Sequence, residues 1–495
     1  MSSVDLEDQI IRKTLEFYNP WWKNKNSSLN TPLFRRFVYN DIFVSVTELR
    51  QIVSITGPRR VGKTTIIKQI ISDLIIIENV LPQNIVYLSM DDPYIFSKRG
   101  NPVFFDKILS VYEKYYLLRN VEGENLKDFN TEKVYFLIDE IHKFSDWELF
   151  LKKYYDNGSR FKNYNIKFIV SGSVSSSIVS KSKESLAGRI KNFKIYPFSF
   201  SEFVSFKISF DDKLDIQAKE EISKNLSLIG KFGETLFNLP VSKIFDTFEK
   251  FSLGLSLFSD ELYLLFEQYL IVGGFIEGWE IQDTTLQYEY LYQTQIEKVL
   301  LEDIYILEDI KNTSSLANLF FLFASHPSEE YSLNELVRET GLHRETLERY
   351  ISLLRESNLI LTLSKYGSNI NKVSNIKVFL IDMGIRNSIL KIKLEEILSN
   401  IDLFNKYLEN IVLISLLQKS VATSIEYFRD REKEIDFILS YSDYAVGINV
   451  KYTKNFLNLS KKFGFLKKII LTKDFNPMLK DGVLYIPYIL FLLAL

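Results

Sequence analysis

The chain has 495 residues, of which 46% are apolar and 25% are charged, and its formal net charge is -2. This length exceeds what one hydrophobic core can organise, so we expect several domains along it. The near-neutral charge gives no overall attraction to nucleic acid, so such binding would need a local patch. The sequence contains no Cys and three His, which excludes disulfides and cysteine-based zinc or thiol chemistry within it.

Neither end of the sequence predicts a targeting or membrane segment. Residues 1–19 are charged and lack the apolar stretch of a secretory signal. The apolar run 483–495 is shorter than the about 20 residues of a spanning helix and contains Pro487, so it predicts a buried strand and helix. We therefore expect a cytoplasmic protein without a membrane role.

Short apolar runs alternate with longer amphipathic stretches between residues 51 and 196. This alternation is typical of an α/β unit with a parallel sheet. The predicted strands are 52–56, 85–88, 134–138 and 168–170. Between the first two strands, apolar residues recur at helical spacing and predict a helix: Ile66, Ile67, Ile70, Ile71 and Leu74.

Three further patterns follow along the chain. Residues 197–310 are periodic for helices and are interrupted by Gly273-Gly274, so they predict a helical lid with a tight turn. Residues 311–375 predict short helices and then a strand at 359–363, which together have the size of a winged helix. Residues 376–495 predict a second, small α/β domain. Its predicted elements are a helix at 405–419 and strands near 435–439, 446–450 and 468–471.

The turn after the first strand carries a phosphate-binding pattern. Glycines in it let backbone N–H groups approach phosphates, and the positive end of the following helix faces the anion. We expect Lys63 to reach the β- and γ-phosphates and Thr64 to hold Mg²⁺. The alternative, a glycine-rich turn beside a surface lysine, does not account for the flanking strand and helix. The residues that match G-x-x-x-x-G-K-[ST] are Gly57, Pro58, Arg59, Arg60, Val61, Gly62, Lys63 and Thr64, and Thr65 follows.

A pair of acidic residues complements this loop. The predicted strand 134–138 ends in Asp139 and Glu140. Such a pair places one acid where it can hold Mg²⁺ and the other where it can polarise the attacking water. The sequence therefore predicts that the chain binds ATP with Mg²⁺ and hydrolyses it, with Lys63 and Glu140 as catalytic residues.

These motifs resemble those of the AAA+-like ATPases of archaea and bacteria in which a winged helix and a nuclease-like domain follow the P-loop domain. The resemblance covers the chain from about residue 31 to its end. It implies an α/β fold with an AAA+-like parallel sheet and a helical lid, followed by the two smaller domains. Besides the P-loop, the matching motifs are Leu137-Ile138-Asp139-Glu140-Ile141-His142-Lys143 with Trp147, Ser171-Gly172-Ser173, Leu186-Ala187-Gly188-Arg189, Tyr196-Pro197-Phe198-Ser199-Phe200 and Gly273-Gly274-Phe275.

The resemblance also implies roles for residues outside the P-loop. Ser171 or Ser173 would be the polar sensor near the γ-phosphate, although Ser also caps ordinary strand-to-loop junctions. Arg189 would be an arginine finger, in cis or across a subunit boundary, or else a solvated arginine. A ring of identical subunits is implied by analogy. The implied segments are an N-terminal helical segment at 1–30, the P-loop ATPase core at 31–196, the lid at 197–310, the winged helix at 311–375 and the PD-(D/E)XK nuclease-like domain at 376–495.

The predicted winged helix contains the pattern of a helix-turn-helix. Ser332 and Glu335 have the spacing of a capping box before a short helix, and Gly341 interrupts the chain after it. The next helix, expected from about residue 344, would face a major groove. Its candidate DNA contacts are His343, Arg344 and Arg349.

The same helix also carries Glu345 and Glu348, which repel DNA phosphates. A winged helix used for packing or protein contacts therefore remains the alternative to DNA binding.

The last segment resembles the core of the PD-(D/E)XK nucleases. Period-two alternation puts the polar residues of each strand on one face. Asn449 stands where a carboxylate is expected, and a neutral amide is a weaker ligand for Mg²⁺. A degenerate fold that contacts DNA or a partner is therefore favoured over an active nuclease. The residues of the implied site are Glu409, Glu434, Asp436, Asn449 and Lys451.

Together, these patterns predict an ATPase that couples ATP turnover to DNA binding or remodelling. Two alternatives remain open. One is a nucleotide-dependent switch that acts on protein partners, and the other is an ATP-dependent nuclease.

Overall fold

The protein is seen in a computed structural model, and it divides into two compact units, Met1–Ile195 and Tyr196–Leu495. The finer division into five segments stays a prediction. The residues that the structure describes are 3–24, 31–101, 103–117, 133–157, 165–173, 186–210, 216–233, 235–300, 304, 313–367, 375–419, 422–430, 433–450 and 466–495.

A parallel sheet forms the centre of the first unit. Its strands are β1 (Ile52–Thr56), β2 (Ile85–Ser89), β3 (Lys133–Asp139), β4 (Asn165–Gly172) and β5 (Ile190–Lys194). They are arranged in the order β5-β1-β4-β3-β2, and all neighbours run parallel. The four predicted strands are confirmed, three of them with longer bounds. β5 was not predicted because its residues are half-buried or exposed and form no apolar run.

Helices flank this sheet, and one of them follows the P-loop turn as predicted. Within the described residues they are α1 (Ser3–Tyr18), α2 (Tyr39–Thr47), α3 (Lys63–Ile76), α4 (Pro93–Ser97), α5 (Val103–Tyr112) and α6 (Trp147–Asn157). The N-terminal helix α1 is part of the core, because Ile11 and Leu15 are buried with residues of β2 and α5. Every residue of β1 is buried, as expected for the middle of a parallel sheet.

The register of the sheet brings the carboxyl ends of its strands together. Thr56 of β1 pairs with Gly172 of β4 and with Lys194 of β5. Ser89 of β2 pairs with Asp139 of β3. The loops that leave β1, β3 and β4 therefore emerge at one edge, which is where open α/β sheets bind their ligands.

The second unit begins with the helices predicted from the periodic apolar pattern. They are α7 (Phe200–Phe210), α8 (Ile216–Gly233), α9 (Val241–Leu255), α10 (Ser259–Val272) and α11 (Thr284–Leu291). The predicted tight turn follows α10, where Gly273 has φ 66°. A Cβ at Gly273 would overlap the carboxylate of Asp382, and the N–H of Gly274 donates to that carboxylate at 2.7 Å. Glycine at these two positions therefore lets the carboxylate of Asp382 approach the backbone of the turn closely.

A small antiparallel sheet and three helices follow. The elements are α12 (Thr313–Ser325), β6 (Glu329–Ser332), α13 (Leu333–Thr340), α14 (Arg344–Glu356), β7 (Ile360–Ser364) and β8 (Asn375–Leu380), with the strand order β6-β8-β7. The predicted break at Gly341 is confirmed, with φ 67°. The predicted capping box is wrong. Ser332 is paired with Asn375 as the last residue of β6, and its side chain makes no capping hydrogen bond.

A six-stranded mixed sheet completes the second unit, in the order β13-β14-β12-β11-β10-β9. The predicted helix starts earlier than expected, at Ile401. The predicted strands are present, whereas β9 and β13 were not predicted. The elements are α15 (Met383–Leu390), α16 (Leu394–Ser399), α17 (Ile401–Lys419), β9 (Ser424–Asp430), β10 (Lys433–Ser440), β11 (Ala445–Asn449), β12 (Leu466–Thr472), β13 (Met478–Lys480), β14 (Val483–Pro487) and α18 (Tyr488–Ala494).

The strand and helix predicted for the apolar run 483–495 are confirmed as β14 and α18. All residues of α18 are buried in the core of the second unit. Across the described part of the chain, no helix combines the length and the apolar character needed to cross a membrane.

Candidate nucleotide-binding site

The turn between β1 and α3 contains three residues with positive φ angles. Gly57, Arg60 and Gly62 have φ values of 148°, 61° and 91°. Glycine adopts positive φ without strain, so two of these three positions suit their residues. A Cβ at Gly57 would also overlap the carbonyl oxygen of Ile195, so glycine is required there. Because α3 begins at Lys63, its first N–H groups and its positive end face the loop.

The side chain of Lys63 is folded into this loop. It is 5% exposed, and its Nζ donates to the carbonyl oxygens of Gly57 at 3.1 Å and of Pro58 at 2.7 Å. A buried ammonium group needs acceptors, and the loop carbonyls provide them. Phosphate oxygens in the loop would offer the same ammonium stronger, charge-assisted hydrogen bonds.

A buried arginine that the sequence analysis missed supports the loop. Arg36 is 6% exposed, and its Nη1 donates to the carbonyl oxygen of Val61 at 2.9 Å. Its neighbour Arg35 forms an ion pair with Asp73 of α3 at 2.8 Å, and the hydroxyl of Tyr39 donates to the same carboxylate at 2.6 Å. Burial, and then the hydrogen bond to Asp73, raise the pKa of the Tyr39 hydroxyl. These contacts fix α2 and the preceding segment against the helix that follows the P-loop.

Thr64 and Asp139 meet at the carboxyl edge of the sheet. The Oγ1 of Thr64 donates to the Oδ2 of Asp139 at 2.7 Å. The hydroxyls of Tyr87, at 3.1 Å, and of Ser171 donate to the same carboxylate. Burial, and then the charge of Asp139, raise the pKa of Tyr87, which keeps it protonated as a donor. A threonine hydroxyl and a carboxylate are oxygen ligands of the kind that Mg²⁺ prefers, so the pair fits the predicted metal.

Glu140 is held beside this pair in a left-handed backbone conformation, with φ 53° and ψ 42°. Its Oε2 accepts from the N–H and the hydroxyl of Ser173, both at 3.3 Å, and lies 3.3 Å from the Nδ1 of His142. Its own N–H donates to the Oγ of Ser171 at 3.2 Å. Both predicted sensor serines therefore contact the acidic pair, Ser171 through Asp139 and Ser173 through Glu140. His142 was not predicted as part of the site.

Arg189 lies away from this group of residues within the chain. Its carbonyl oxygen accepts from the N–H of Ile52 at 2.8 Å, at the start of β1, whereas the P-loop follows the end of β1. Its guanidinium forms two hydrogen bonds with Asp156, at 2.7 and 3.0 Å, and this ion pair lowers the pKa of Asp156. The structure therefore does not bring Arg189 to the P-loop of its own chain. A role across a subunit boundary stays a prediction.

The strand order, the P-loop and the two acids at the end of β3 agree with a comparison of the sequence with known families. Residues 49–204 match a family model that is described as an AAA domain. The first unit has an AAA+-like fold. Its parallel sheet and flanking helices confirm the predicted P-loop NTPase fold, and further sheets follow in the second unit. Residues 263–396 match a model described as a domain of unknown function.

Relatives that align over most of the chain occur in archaea and bacteria. The protein called "Uncharacterized protein MJ1637", from Methanocaldococcus jannaschii, is 24% identical over 509 aligned positions, which cover 99% of this chain and 95% of the relative. A protein from Haemophilus influenzae that is also called uncharacterized is 24% identical over 447 positions, which cover 87% of this chain and 91% of the relative.

Two solved structures have low overall similarity to the chain. One is the Walker-type ATPase paby2304 of Pyrococcus abyssi, with 14% identity, a TM-score of 0.40, and coverage of 74% of this chain and 99% of that one. The other is the Aeropyrum pernix ORC1 protein in complex with DNA, with 11% identity, a TM-score of 0.30, and coverage of 76% and 96%.

The predicted DNA-contacting residues lie at the start and on the outer face of α14 in the second unit. His343 precedes the helix, and it, Arg344 and Arg349 are exposed. The guanidinium of Arg344 is already engaged: it pairs with Glu348 at 2.9 Å and donates to Asn334 at 3.1 Å. One predicted basic contact is thus neutralised by an acid on its own helix.

The nuclease-like residues are brought together around a lysine that the sequence analysis missed. The Nζ of Lys377 on β8 lies within 3.5 Å of carboxylate oxygens of Glu409, Glu434 and Asp436. Asn449 is buried, and its amide donates to the carbonyl oxygen of Glu434 at 3.0 Å. The predicted Lys451 lies outside the described residues. A charged residue within the apolar strand 375–380 is the signal that could have drawn attention to Lys377.

Proposed function

We propose that the AAA+-like domain binds ATP with Mg²⁺ and hydrolyses it. The observation that carries the proposal is the direct contact of Thr64 with Asp139, at 2.7 Å, next to the P-loop lysine. A lysine, a metal-holding pair and a second acid are the parts that phosphoryl transfer to water requires. All of these parts lie at one edge of one sheet.

Different residues of the chain serve ATP binding and ATP hydrolysis. The P-loop N–H groups and Lys63 bind the β- and γ-phosphates, and Thr64 and Asp139 hold Mg²⁺, which neutralises phosphate charge. Glu140 accepts a proton from the attacking water, or orients that water, after its carboxylate turns away from Ser173 and His142. Ser171 donates to Asp139 and accepts from the N–H of Glu140, so it couples the positions of the two acids.

The ATPase assignment is tested by two substitutions and one control. We expect Lys63→Ala to reduce turnover by at least about 100-fold, because it removes the cation that stabilises the transferred phosphoryl group. We expect Glu140→Gln to reduce turnover by a similar factor while ATP binding persists, because the amide cannot accept a proton. Lys68→Ala removes an exposed lysine of the same helix and should change neither. Turnover that survives in a folded Lys63→Ala protein would refute the proposed site.

We further propose that the second unit uses its small sheet and the α13–α14 pair as a winged helix that contacts DNA. Two helices joined by a turn at Gly341 precede the antiparallel strands β7 and β8, and β6 pairs on the far side of β8. This order of elements supports a winged helix, with α14 as the helix presented to a major groove. Turnover of ATP would then alter the affinity of this winged helix for DNA.

A second candidate is a nucleotide-dependent switch that acts on a protein partner, in the form of a ring or another homo-oligomer. The observation that favours it is the ion pair between Arg344 and Glu348, because this pair reduces the positive charge that α14 could offer to phosphates. The two candidates differ in whether nucleic acid changes turnover.

The discriminating experiment measures ATP hydrolysis by the full chain with duplex, branched and single-stranded DNA. Stimulation by one DNA form that is lost in Arg349→Ala, and kept in the surface control Lys480→Ala, would support the DNA-acting role. Turnover that ignores every DNA form, in a chain whose hydrolysis depends on Lys63, would leave the ATPase intact and favour the protein-partner switch.

A further inference from the structure

Lys377 is a buried cation at the centre of three carboxylates. It is 2% exposed, and Glu409 and Asp436 are each 1% exposed. Its Nζ lies 2.8 Å from the Oε2 of Glu409, 3.5 Å from the Oε1 of Glu434 and 3.5 Å from the Oδ1 of Asp436. A buried charge is costly unless it is paired, and here each buried member of the group has an opposite charge beside it.

The position of this ammonium group is set by the backbone around it. Lys377 lies in the middle of β8, which pairs with both β6 and β7. The carboxylates come from other elements, Glu409 from α17 and the other two from β10. Asn410, next to Glu409, exchanges two hydrogen bonds with the backbone of Leu380 at 2.9 Å each. The backbone of Lys377 is therefore held by strand pairing on both sides, and the helix that carries Glu409 is bonded to the same strand.

Two other polar groups beside the lysine join neighbouring strands. The Oδ2 of Asp436 accepts from the N–H of Val450 at 2.8 Å, and the amide of Asn449 donates to the carbonyl oxygen of Glu434 at 3.0 Å. The other oxygen of Asp436, Oδ1, is buried and has no hydrogen-bond partner among the described residues. The ammonium of Lys377 is the cation that faces it.

We propose that the ammonium of Lys377 is a tethered cation that takes the place a divalent metal ion would need between Glu409, Glu434 and Asp436. A metal ion would have to lie about 2.0 to 2.6 Å from the same oxygens, and two cations cannot share that space. The carboxylates are then a structural clamp between the small sheet and the six-stranded sheet. They take no metal ion while Lys377 is present.

The charge balance gives this clamp a second, measurable property. Three carboxylates and one ammonium leave a formal excess of negative charge. The ammonium of Lys377 lies within 3.5 Å of all three carboxylates, and opposite charges at this distance favour its charged form. Removal of the ammonium leaves acidic oxygens without a counter-charge, and such a group binds hard divalent cations. The site is thus a metal site that the chain itself has filled.

The test counts Mn²⁺ bound to the nucleotide-free full chain by electron paramagnetic resonance. Any Mn²⁺ that binds at the P-loop is present in all variants, so it does not contribute to the difference in Mn²⁺ count between a variant and the wild type. We expect Lys377→Met to bind one Mn²⁺ more than the wild type, and the surface control Lys480→Met, from the exposed strand β13, to bind none in addition. Adding Glu409→Gln to Lys377→Met should remove the extra ion. A folded Lys377→Met chain without an extra ion would overturn the proposal.

A second measurement keeps the lysine and so does not depend on the folding of Lys377→Met. We expect Glu409→Gln by itself to leave the Mn²⁺ count of the wild type unchanged, since no ion is held there. A loss of one ion per chain would show that metal and lysine share the carboxylates, which contradicts the proposal. Neither result depends on ATP hydrolysis, so the proposal is separable from the ATPase assignment. It bears directly on the ATP-dependent nuclease alternative.

Discussion

The hydroxyl of Thr64 and the carboxylate of Asp139 are joined by a hydrogen bond of 2.7 Å, although the two residues are 75 positions apart in the chain. The bond ties the first turn of α3 to the end of β3. We expect Thr64→Val, which keeps the shape and removes the hydroxyl, to reduce Mg²⁺-dependent turnover by about 100-fold or more, because one of the two protein ligands is lost. The measurement is turnover as a function of Mg²⁺ concentration.

The matched control for this prediction is Thr247→Val. Thr247 is a half-buried threonine of α9 whose hydroxyl bonds within its own helix. It should leave the Mg²⁺ dependence unchanged. If Thr64→Val also kept the wild-type Mg²⁺ dependence, the assignment of the metal-holding pair would be wrong.

Gly57 is the glycine of the P-loop for which a side chain has no space. We expect Gly57→Ala to destabilise the end of β1 by at least about 2 kcal/mol, because the residue has a positive φ and its Cβ would overlap the carbonyl oxygen of Ile195. Gly100→Ala is the control, because a Cβ at that exposed position meets nothing within 4 Å. Hydrogen exchange of the β1 amides should accelerate in the first variant alone. Equal exchange in both variants would contradict the steric argument.

The nucleotide site was predictable because its signals are local in sequence. The P-loop is eight consecutive residues, and Asp139 and Glu140 end a continuous apolar strand. The P-loop and the acidic pair can therefore each be placed at the carboxyl edge of the sheet from a short stretch of sequence. Arg36 carries no such signal, and His142, although it stands in the motif just after Glu140, was not assigned a role. Arg36 matters because it reaches the carbonyl oxygen of Val61, 25 residues away, and no periodic pattern encodes that contact. β5 was missed because its residues are half-buried or exposed and form no apolar run.

The three carboxylates around Lys377 in the second unit were only partly predictable from the sequence. Period-two alternation placed Glu434 and Asp436 together on their strand, and the structure brings Glu409 to them. In the sequence, Asn449 is the departure that weakens a metal site. The cation at the centre comes instead from Lys377, on a strand that belongs to a different sheet, and only the tertiary structure could place it there.

Two glycines of α8 give a matched pair of variants. A Cβ at Gly233 would overlap the carbonyl oxygen of Ala494 in the buried helix α18, whereas a Cβ at Gly230 has ordinary contact distances. We expect Gly233→Ala to lower the free energy of unfolding of the second unit by about 1 to 3 kcal/mol through overpacking. Gly230→Ala should raise it by up to about 1 kcal/mol, because alanine favours a helix over glycine. Urea unfolding followed through Trp279 fluorescence measures both. Similar effects of the two substitutions would show that α18 can shift freely.

Asp382 makes the stability of the second unit depend on pH. Its buried carboxylate accepts from the N–H groups of Gly274 at 2.7 Å and of Gly384 at 2.8 Å. Burial raises its pKa to about 6, although these backbone N–H groups act to lower it. The usual pKa of an aspartic acid is about 3.9. Between these two values the folded state binds more protons than the unfolded state, so stability falls as the pH rises through that window.

The expected size follows from the same linkage. The free energy of unfolding of the wild type, relative to Asp382→Asn, should decrease by about 1 kcal/mol between pH 5 and pH 7, because the amide does not titrate and cancels the other groups. Urea unfolding of both proteins at several pH values provides the measurement. A difference that stays constant over this range would mean that the carboxylate is fully ionised at pH 5, and that the two backbone N–H groups outweigh the effect of burial.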